Sequence, residues 1–168
     1  GTGDYQTLVN WTYDADGMTD FNDTRILNAS ENQEIPFWIE NYVLSGYANI
    51  WIKGNFTTTN ETQAYIYYNN SGAVSVSNIN NTMEDGDEFN GIDVDPLKWR
   101  IQSSGGFPNI TSNAGASVLN LSQPSGGVIS VRGFVAPIII EWRGNTTIDA
   151  TAGNVRYKTR STAAADDE

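Results

Sequence analysis

IPFWIENYVLSGYANIWIKG runs from Ile35 to Gly54. Two stretches of it, Ile35–Tyr42 and Ala48–Lys53, are rich in isoleucine and aromatic residues, which suit a pleated, half-buried surface. Neither shows an apolar repeat of 3.6 residues, so both read as strands. The same signature recurs at Tyr5–Thr12, Gln63–Tyr68, Ala73–Ser77, Trp99–Ser103, Ser117–Ser122, Val128–Phe134, Ile138–Arg143 and Asn154–Thr162. Gly, Asn, Asp and Ser clusters, such as Gly105-Gly106 and Ser125-Gly126-Gly127, punctuate them. The one helical piece expected is a turn near Pro96–Trp99. Short strands separated by turns every ~8–12 residues predict an all-β fold, a jelly roll or β-sandwich in one or two lobes. A polar, acidic stretch at Asn80–Glu88 marks a boundary. The expected organisation is a β-sandwich domain over residues 1–83 and a β-rich lobe over residues 84–168, or one sandwich continuous across both.

The 168 residues contain no Cys and no His. That removes disulfides, thiolate metal sites, Ser-His-Asp and Cys-His catalysis and the commonest general base. A carboxylate pair or an oxygen-ligated calcium site remains open. Hydrophobic residues make up 39% and aromatics 11%, so the chain can build a core rather than stay disordered. The net charge of -11 argues against a nucleic-acid partner, which requires a basic footprint. No apolar run approaches the ~20 residues of a membrane helix, so no membrane span is expected. The chain starts at Gly1 without Met, which fits export with removal of a leader.

Asn-x-Ser/Thr, the sugar-acceptor motif, begins at Asn10, Asn22, Asn28, Asn55, Asn60, Asn69, Asn80, Asn109, Asn120 and Asn145. With 19 Asn and 29 Ser plus Thr in the chain, chance predicts about three such motifs, and one alone would mean little. Four of the ten hold an apolar residue in the middle: Trp11, Phe56, Ile110 and Leu121. On a strand, neighbouring side chains point to opposite faces. Asn and Ser/Thr then face outward while the central residue enters the core. This is the pattern of N-linked glycans carried on half-buried sheets.

DYQTLVNW (Asp4–Trp11), IPFWIE (Ile35–Glu40), ANIWIKG (Ala48–Gly54) and AYIYYNN (Ala64–Asn70) occur in this order. The series resembles a domain family of unknown function in archaeal and bacterial cell-surface proteins, over about residues 4–78. Its members show a Tyr-Gln strand, Pro-x-Trp-Ile-Glu, Ile-Trp-Val-Lys and then Tyr-x-Tyr-Tyr-Gly-Asn. DEFNGIDVDPLKWRI (Asp87–Ile101) resembles the opening of a concanavalin/laminin-G-like module. About 80 residues remain for that module, fewer than a complete one uses, so a reduced lobe is expected. The resemblance transfers no catalytic residue, and no enzyme activity is expected.

The acidic run holds Glu84, Asp85, Asp87, Glu88, Asp93 and Asp95. Clustered hard oxygen donors suit Ca²⁺. Asp85, Asp87, Glu88, Asp93 and Asp95 are therefore candidate ligands of a structural calcium ion, weighed against an ordinary solvated loop. The spacing is not an EF-hand, because Phe89 stands where a ligand is needed. Tyr65 and Tyr67 share one strand face, with Ile66 and Tyr68 on the other, and one of these pairs is a candidate exposed surface. Residues 1–97 carry a net charge of -13 and residues 98–168 carry +2. Arg156, Lys158 and Arg160 alternate with Val155, Tyr157 and Thr159, which places all three on one face of a strand and marks a candidate subunit contact.

The expectation from these residues is a structural subunit of a secreted, N-glycosylated extracellular filament or surface layer, archaeal in character. It would assemble with copies of itself by strand addition and charge-complementary contacts. The rival expectation is a carbohydrate-binding or adhesion module that contacts other surface proteins or glycans.

Overall fold

A computed structural model describes residues 5–54, 63–103, 108–113, 116–121, 126–133 and 140. The chain divides into two compact units, Gly1–Asp87 and Glu88–Glu168. The division falls just beyond the 83/84 boundary expected from the sequence.

The first unit contains β1 (Tyr5–Thr12), β2 (Arg25–Asn28), β3 (Phe37–Val43), β4 (Tyr47–Gly54), β5 (Ala64–Tyr67) and the single-turn helix α1 (Ile79–Thr82). β4 is the central strand of the antiparallel sheet β1-β4-β3, and β2 pairs antiparallel with β5. Alternation along β4 decides the layering. Ala48, Ile50 and Ile52 are buried, while Tyr47, Asn49, Trp51 and Lys53 take the opposite face. The register places Val9 and Ile39 opposite Ile50, Trp11 opposite Ala48, and Phe37 opposite Ile52. In the second sheet Ile26 stands opposite Ile66. Ile26 and Ile66 pack into the same core as Phe37, Ile50 and Ile52, so the two sheets form a sandwich.

The core is closed by the loop between β1 and β2. Phe21 is 2% exposed and holds a left-handed backbone, φ 58°. That conformation is strained for a bulky residue. Its ring sits among Trp11 at 5.4 Å, Tyr13 at 6.1 Å and Tyr42 at 6.0 Å, all edge-to-face. Trp11 also meets Tyr68 at 5.3 Å. Beside it, the buried Asp23 accepts hydrogen bonds at Oδ2 from the Met18 N–H (3.1 Å) and the Asn69 N–H (2.7 Å). One carboxylate thereby ties the loop to the end of β5.

The second unit contains β6 (Trp99–Ser103), β7 (Asn109–Asn113), β8 (Ala116–Asn120) and β9 (Gly126–Ser130). β7 pairs with β8, and β6 pairs with β9 around them, both antiparallel. The two pairings are nested in sequence and form separate two-stranded sheets. Phe89 and Trp99 stack 5.6 Å apart, and Val94 is buried.

Three expectations change. Ala73–Ser77 forms no strand. The chain there runs along β3, where the Ile39 N–H donates to Ser77 Oγ (2.8 Å) and the Asn78 N–H donates to Phe37 O (2.9 Å). A side-chain acceptor replaces a ladder bond, so the ladder never forms. The acidic boundary stretch begins with α1, because Asn78 caps it by accepting from the N–H groups of Asn80 and Asn81 at 2.9 and 3.2 Å. β2 and β7 are additional strands. RILN is too short to show a period, and NITSN is too polar to show an apolar face. The Pro96–Trp99 turn is present, with the N–H groups of Lys98 and Trp99 donating to Asp95 O. Apart from residue 140, the expected strands Ile138–Arg143 and Asn154–Thr162 lie outside the described residues.

Phe21→Ala removes the shared partner of three rings and leaves a cavity in the core. The expected loss is about 3–5 kcal/mol of unfolding free energy, measured by chemical denaturation. An effect under ~1 kcal/mol would show that the loop does not close the sandwich.

Candidate functional site

The two edges of the β1-β4-β3 sheet differ. The β3 edge is blunted by an irregularity between Ile39 and Asn41 and by the bonds to Ser77 and Asn78. The β1 edge, among the described residues, has no strand beyond it. Its sequence YQTLVNWT contains no charged residue and no Pro, the usual protections of a free edge.

The face of this sheet turned away from the core is ordered by cross-strand pairs. Leu8, Trp51 and Trp38 lie in one row, and Asn10, Asn49 and Asn41 in the next. Asn10 Nδ2 donates to Asn49 Oδ1 (2.8 Å), and Asn49 Nδ2 donates to Asn41 Oδ1 (3.0 Å). Trp51 Nε1 donates to Glu40 Oε2 at 3.0 Å. At the end of β1, Gln6 Nε2 donates to Thr82 O (3.2 Å), and Lys53 pairs with Glu84 at 3.5 Å. A one-residue slip of β1 would break the amide row and turn Val9 and Trp11 outward, so the register is strongly specified.

On β5 it is the Tyr65/Tyr67 pair that is exposed, at 40% and 43%, while Ile66 packs inward. Tyr65 donates its hydroxyl hydrogen bond to Gln63 Oε1 (3.1 Å), and Tyr67 donates to Glu31. The bond to the Glu31 carboxylate, with smaller contributions from burial and repulsion, raises the Tyr67 pKa above 10.0. The negative charge of Asp14 chiefly does the same for Tyr68.

The acceptor motifs fall into distinct environments. Asn10, Asn69 and Asn80 are exposed, whereas Asn22, Asn28 and Asn120 are half-buried. Asn22 Nδ2 donates to Asp20 Oδ2 at 2.6 Å, and Asn28 Nδ2 donates to Asn32 Oδ1 at 3.0 Å. The hydroxyl residue of each motif differs too. Thr12, Ser30, Ser71 and Thr111 are exposed, while Thr24 and Thr82 are fully buried. Asn109 lies in β7. Asn55, Asn60 and Asn145 lie outside the described residues. Of the four central apolar residues, Trp11 packs on the core and Ile110 is half-buried. Leu121 differs, at 46% exposed, because it stands just past the end of β8 where the strand alternation stops. Phe56 lies outside the described residues.

The acidic residues do not converge. Among the described residues, no group of three or more carboxylates is placed to hold a metal ion. Asp93 Oδ1 accepts from the Val94 N–H (2.8 Å), and Asp95 Oδ1 accepts from the Leu97 N–H (2.9 Å), so both shape local turns. Glu88 accepts from Asn90 Nδ2, and Glu84 holds Lys53. Asp85 and Asp87 are half-buried beside α1 in sequence. Arg156, Lys158 and Arg160 lie outside the described residues. An open pocket of about 260 Å³, lined by Ile26, Glu34, Ile35, Phe37, Val76 and Asn78, presents a single carboxylate. Among the described residues no helix is long and apolar enough to cross a membrane.

Residues 20–102 match the family described as a domain of unknown function (DUF2341). This segment belongs to that family. The DUF2341 segment contains β2 to β5 and α1 and ends inside β6. The match therefore starts later than the expected 4–78 resemblance and extends further. β1 is the one described strand of the first unit that precedes it. Neither a curated protein nor a solved structure matches the chain.

Two outcomes follow from this geometry. An enzyme that reads the whole motif needs both the Asn amide and the hydroxyl two residues on. Presented with folded, sugar-free protein, a glycosyltransferase of this specificity should modify Asn10 and Asn69, and leave Asn22 and Asn80 bare until the chain is unfolded. Glycopeptide mass spectrometry reads this directly, and equal modification of all four would contradict the burial argument. Separately, the raised Tyr67 and Tyr68 pKa values contribute stability that is present below pH 10.0, the unfolded value, and lost as pH rises through the folded ones. Tyr67→Phe and Tyr68→Phe should flatten the fall in melting temperature above that pH. Parallel curves for variants and parent would remove the contribution.

Proposed function

We propose that the chain is a structural subunit of a secreted, N-glycosylated extracellular filament or surface layer, and that copies join along the β1 edge. The observation that carries this reading is the contrast between the two edges of one sheet. Among the described residues, an eight-residue strand with no charge and no Pro lies at one border, while the other border is blunted. A strand edge of this kind templates pairing with another chain. The order of DYQTLVNW, IPFWIE, ANIWIKG and AYIYYNN, which resembles domains of cell-surface proteins, suits this setting.

The ten acceptor motifs supply the outer coat in this reading. Covalent sugar hydrates the wall, shields it from proteases and obstructs wrong edge contacts. A glycan-coated surface protein without Cys suits an archaeal envelope. Charge has the smaller part. Exposed ion pairs contribute ~0–1 kcal/mol each, so the -13 first part and the +2 remainder set orientation. Main-chain hydrogen bonds and apolar contacts along the joined edge provide the cohesion.

A second reading, a carbohydrate-binding module, is favoured by the exposed Tyr65/Tyr67 pair with Gln63 and Glu31 at its rim. Flat aromatic surfaces with a polar border take sugar rings well.

Leu8 is exposed on β1, so Leu8→Lys adds a charge at the edge with an expected fold stability change within ~0.5 kcal/mol. Electron microscopy of concentrated protein should show polymers for the parent and few for this variant. Replacing Arg156, Lys158 and Arg160 with Glu should slow assembly and weaken its salt dependence. A parent that stays monodisperse and binds a defined glycan through Tyr65 and Tyr67 would instead establish the binding module.

A further inference from the structure

We propose that β1 is exchanged between copies, so that β1 of one subunit occupies the β4 edge of the next. The inference rests on the reading of the chain as a self-assembling subunit, and puts transfer of β1 itself in place of addition at its outer edge. Among the described residues, the buried core residues of this unit, Phe21, Ile26, Ile35, Phe37, Ala48, Ile50 and Ile52, all lie outside β1. β1 contributes only the partly buried Val9 and Trp11 at the margin. The body therefore keeps its centre when β1 leaves. It also needs a strand in that place, because Ala48, Ile50 and Ile52, 0–4% exposed, lie directly opposite Trp11, Val9 and Thr7.

Every contact that holds β1 can be remade by a second copy. The ladder runs through eight pairs from Tyr5↔Gly54 to Thr12↔Tyr47, and the Asn10–Asn49 bond and the Trp11–Phe21 contact belong to the same interface. Exchange of identical contacts is a low-cost route to association. The link to the body suits a hinge. Tyr13–Thr19 joins β1 to the Phe21 plug and is folded back by local bonds, Asp16 N–H to Asp14 Oδ1 and Gly17 N–H to Asp14 O. Tyr13 is bonded to Gly46, Met18 to Asp23 and Thr19 to Ser45, so the part that opens is Asp14–Gly17, which reaches roughly 13 Å at about 3.3 Å per residue. β1 also precedes the DUF2341 segment, which holds the other strands of the first unit. Each copy has one β1 to give and one β4 edge to fill, so exchange handed from copy to copy builds a filament when it does not close on itself.

The test uses a reversible lock. Gln6 and Lys53 are directly opposed across the β1–β4 ladder, and the parent has no Cys. Opposed strand pairs lie within disulfide reach. Gln6→Cys with Lys53→Cys, oxidised in dilute monomer, should melt cooperatively and form no filament when concentrated, and reduction should restore filaments. Oxidising filaments grown from the reduced variant should then yield covalent ladders of chains on denaturing gels. Thr12→Cys with Tyr47→Cys, at the other end of the same ladder, provides an independent lock. Locked chains that polymerise like the parent would overturn the exchange and leave edge addition standing. Parent and variants that remain monomeric at every concentration would overturn both readings.

Discussion

Burial of the Phe21 ring is the interaction on which the first unit depends. A bulky residue in a left-handed backbone is unfavourable by itself. Here the strain is outweighed by a ring packed against Trp11 from β1, Tyr13 from the loop and Tyr42 from β3. Trp11 passes the contact on to Tyr68 beyond β5. Elements far apart in sequence therefore meet at one residue, and Asp23 fixes the same loop through two backbone amides. With the loop fixed, two small sheets share a single apolar interior.

That construction leaves the unit asymmetric. Loop and turn bonds concentrate on the β3 side, where Ser77 and Asn78 occupy backbone groups that another strand would need. On the β1 side order comes from side chains above the sheet rather than from backbone beyond it, through the Asn10–Asn49–Asn41 row and the Trp51–Glu40 bond. The sheet is thus held in register, and among the described residues no strand covers its β1 border. A free border is a hazard in a monomer and an asset in a polymer.

Strands with strong alternation were legible from the sequence. β1 and β6 occur at the residues expected, and β3, β4, β5 and β8 within one or two residues. β9 sits earlier than expected, at Gly126–Ser130, because pairing with β6 overrides the low strand preference of Gly126 and Gly127. β2 stayed hidden because four residues cannot display a period, and its partner Tyr65–Tyr67 run is distant in the chain. Ala73–Ser77 has strand composition, but Ser77 offers its side chain where a ladder needs main chain. The acidic run was legible as composition only. Whether carboxylates converge depends on turn geometry, and Asp93 and Asp95 direct oxygens to neighbouring amides instead. The asymmetry of the sheet edges was not legible either, since it arises from a contact between residues nearly forty positions apart.

The amide row on the outer face has a chemical consequence for Asn10. Its Nδ2 both holds Asn49 and is the atom to which an N-linked sugar attaches. A primary amide nitrogen has two hydrogens, and glycosylation replaces only one. The remaining hydrogen can still point at Asn49 Oδ1, so carbohydrate and strand alignment need not compete for this nitrogen. The sugar would then leave from a fixed anchor rather than a swinging side chain, with its first ring oriented by the lattice of amides beneath it.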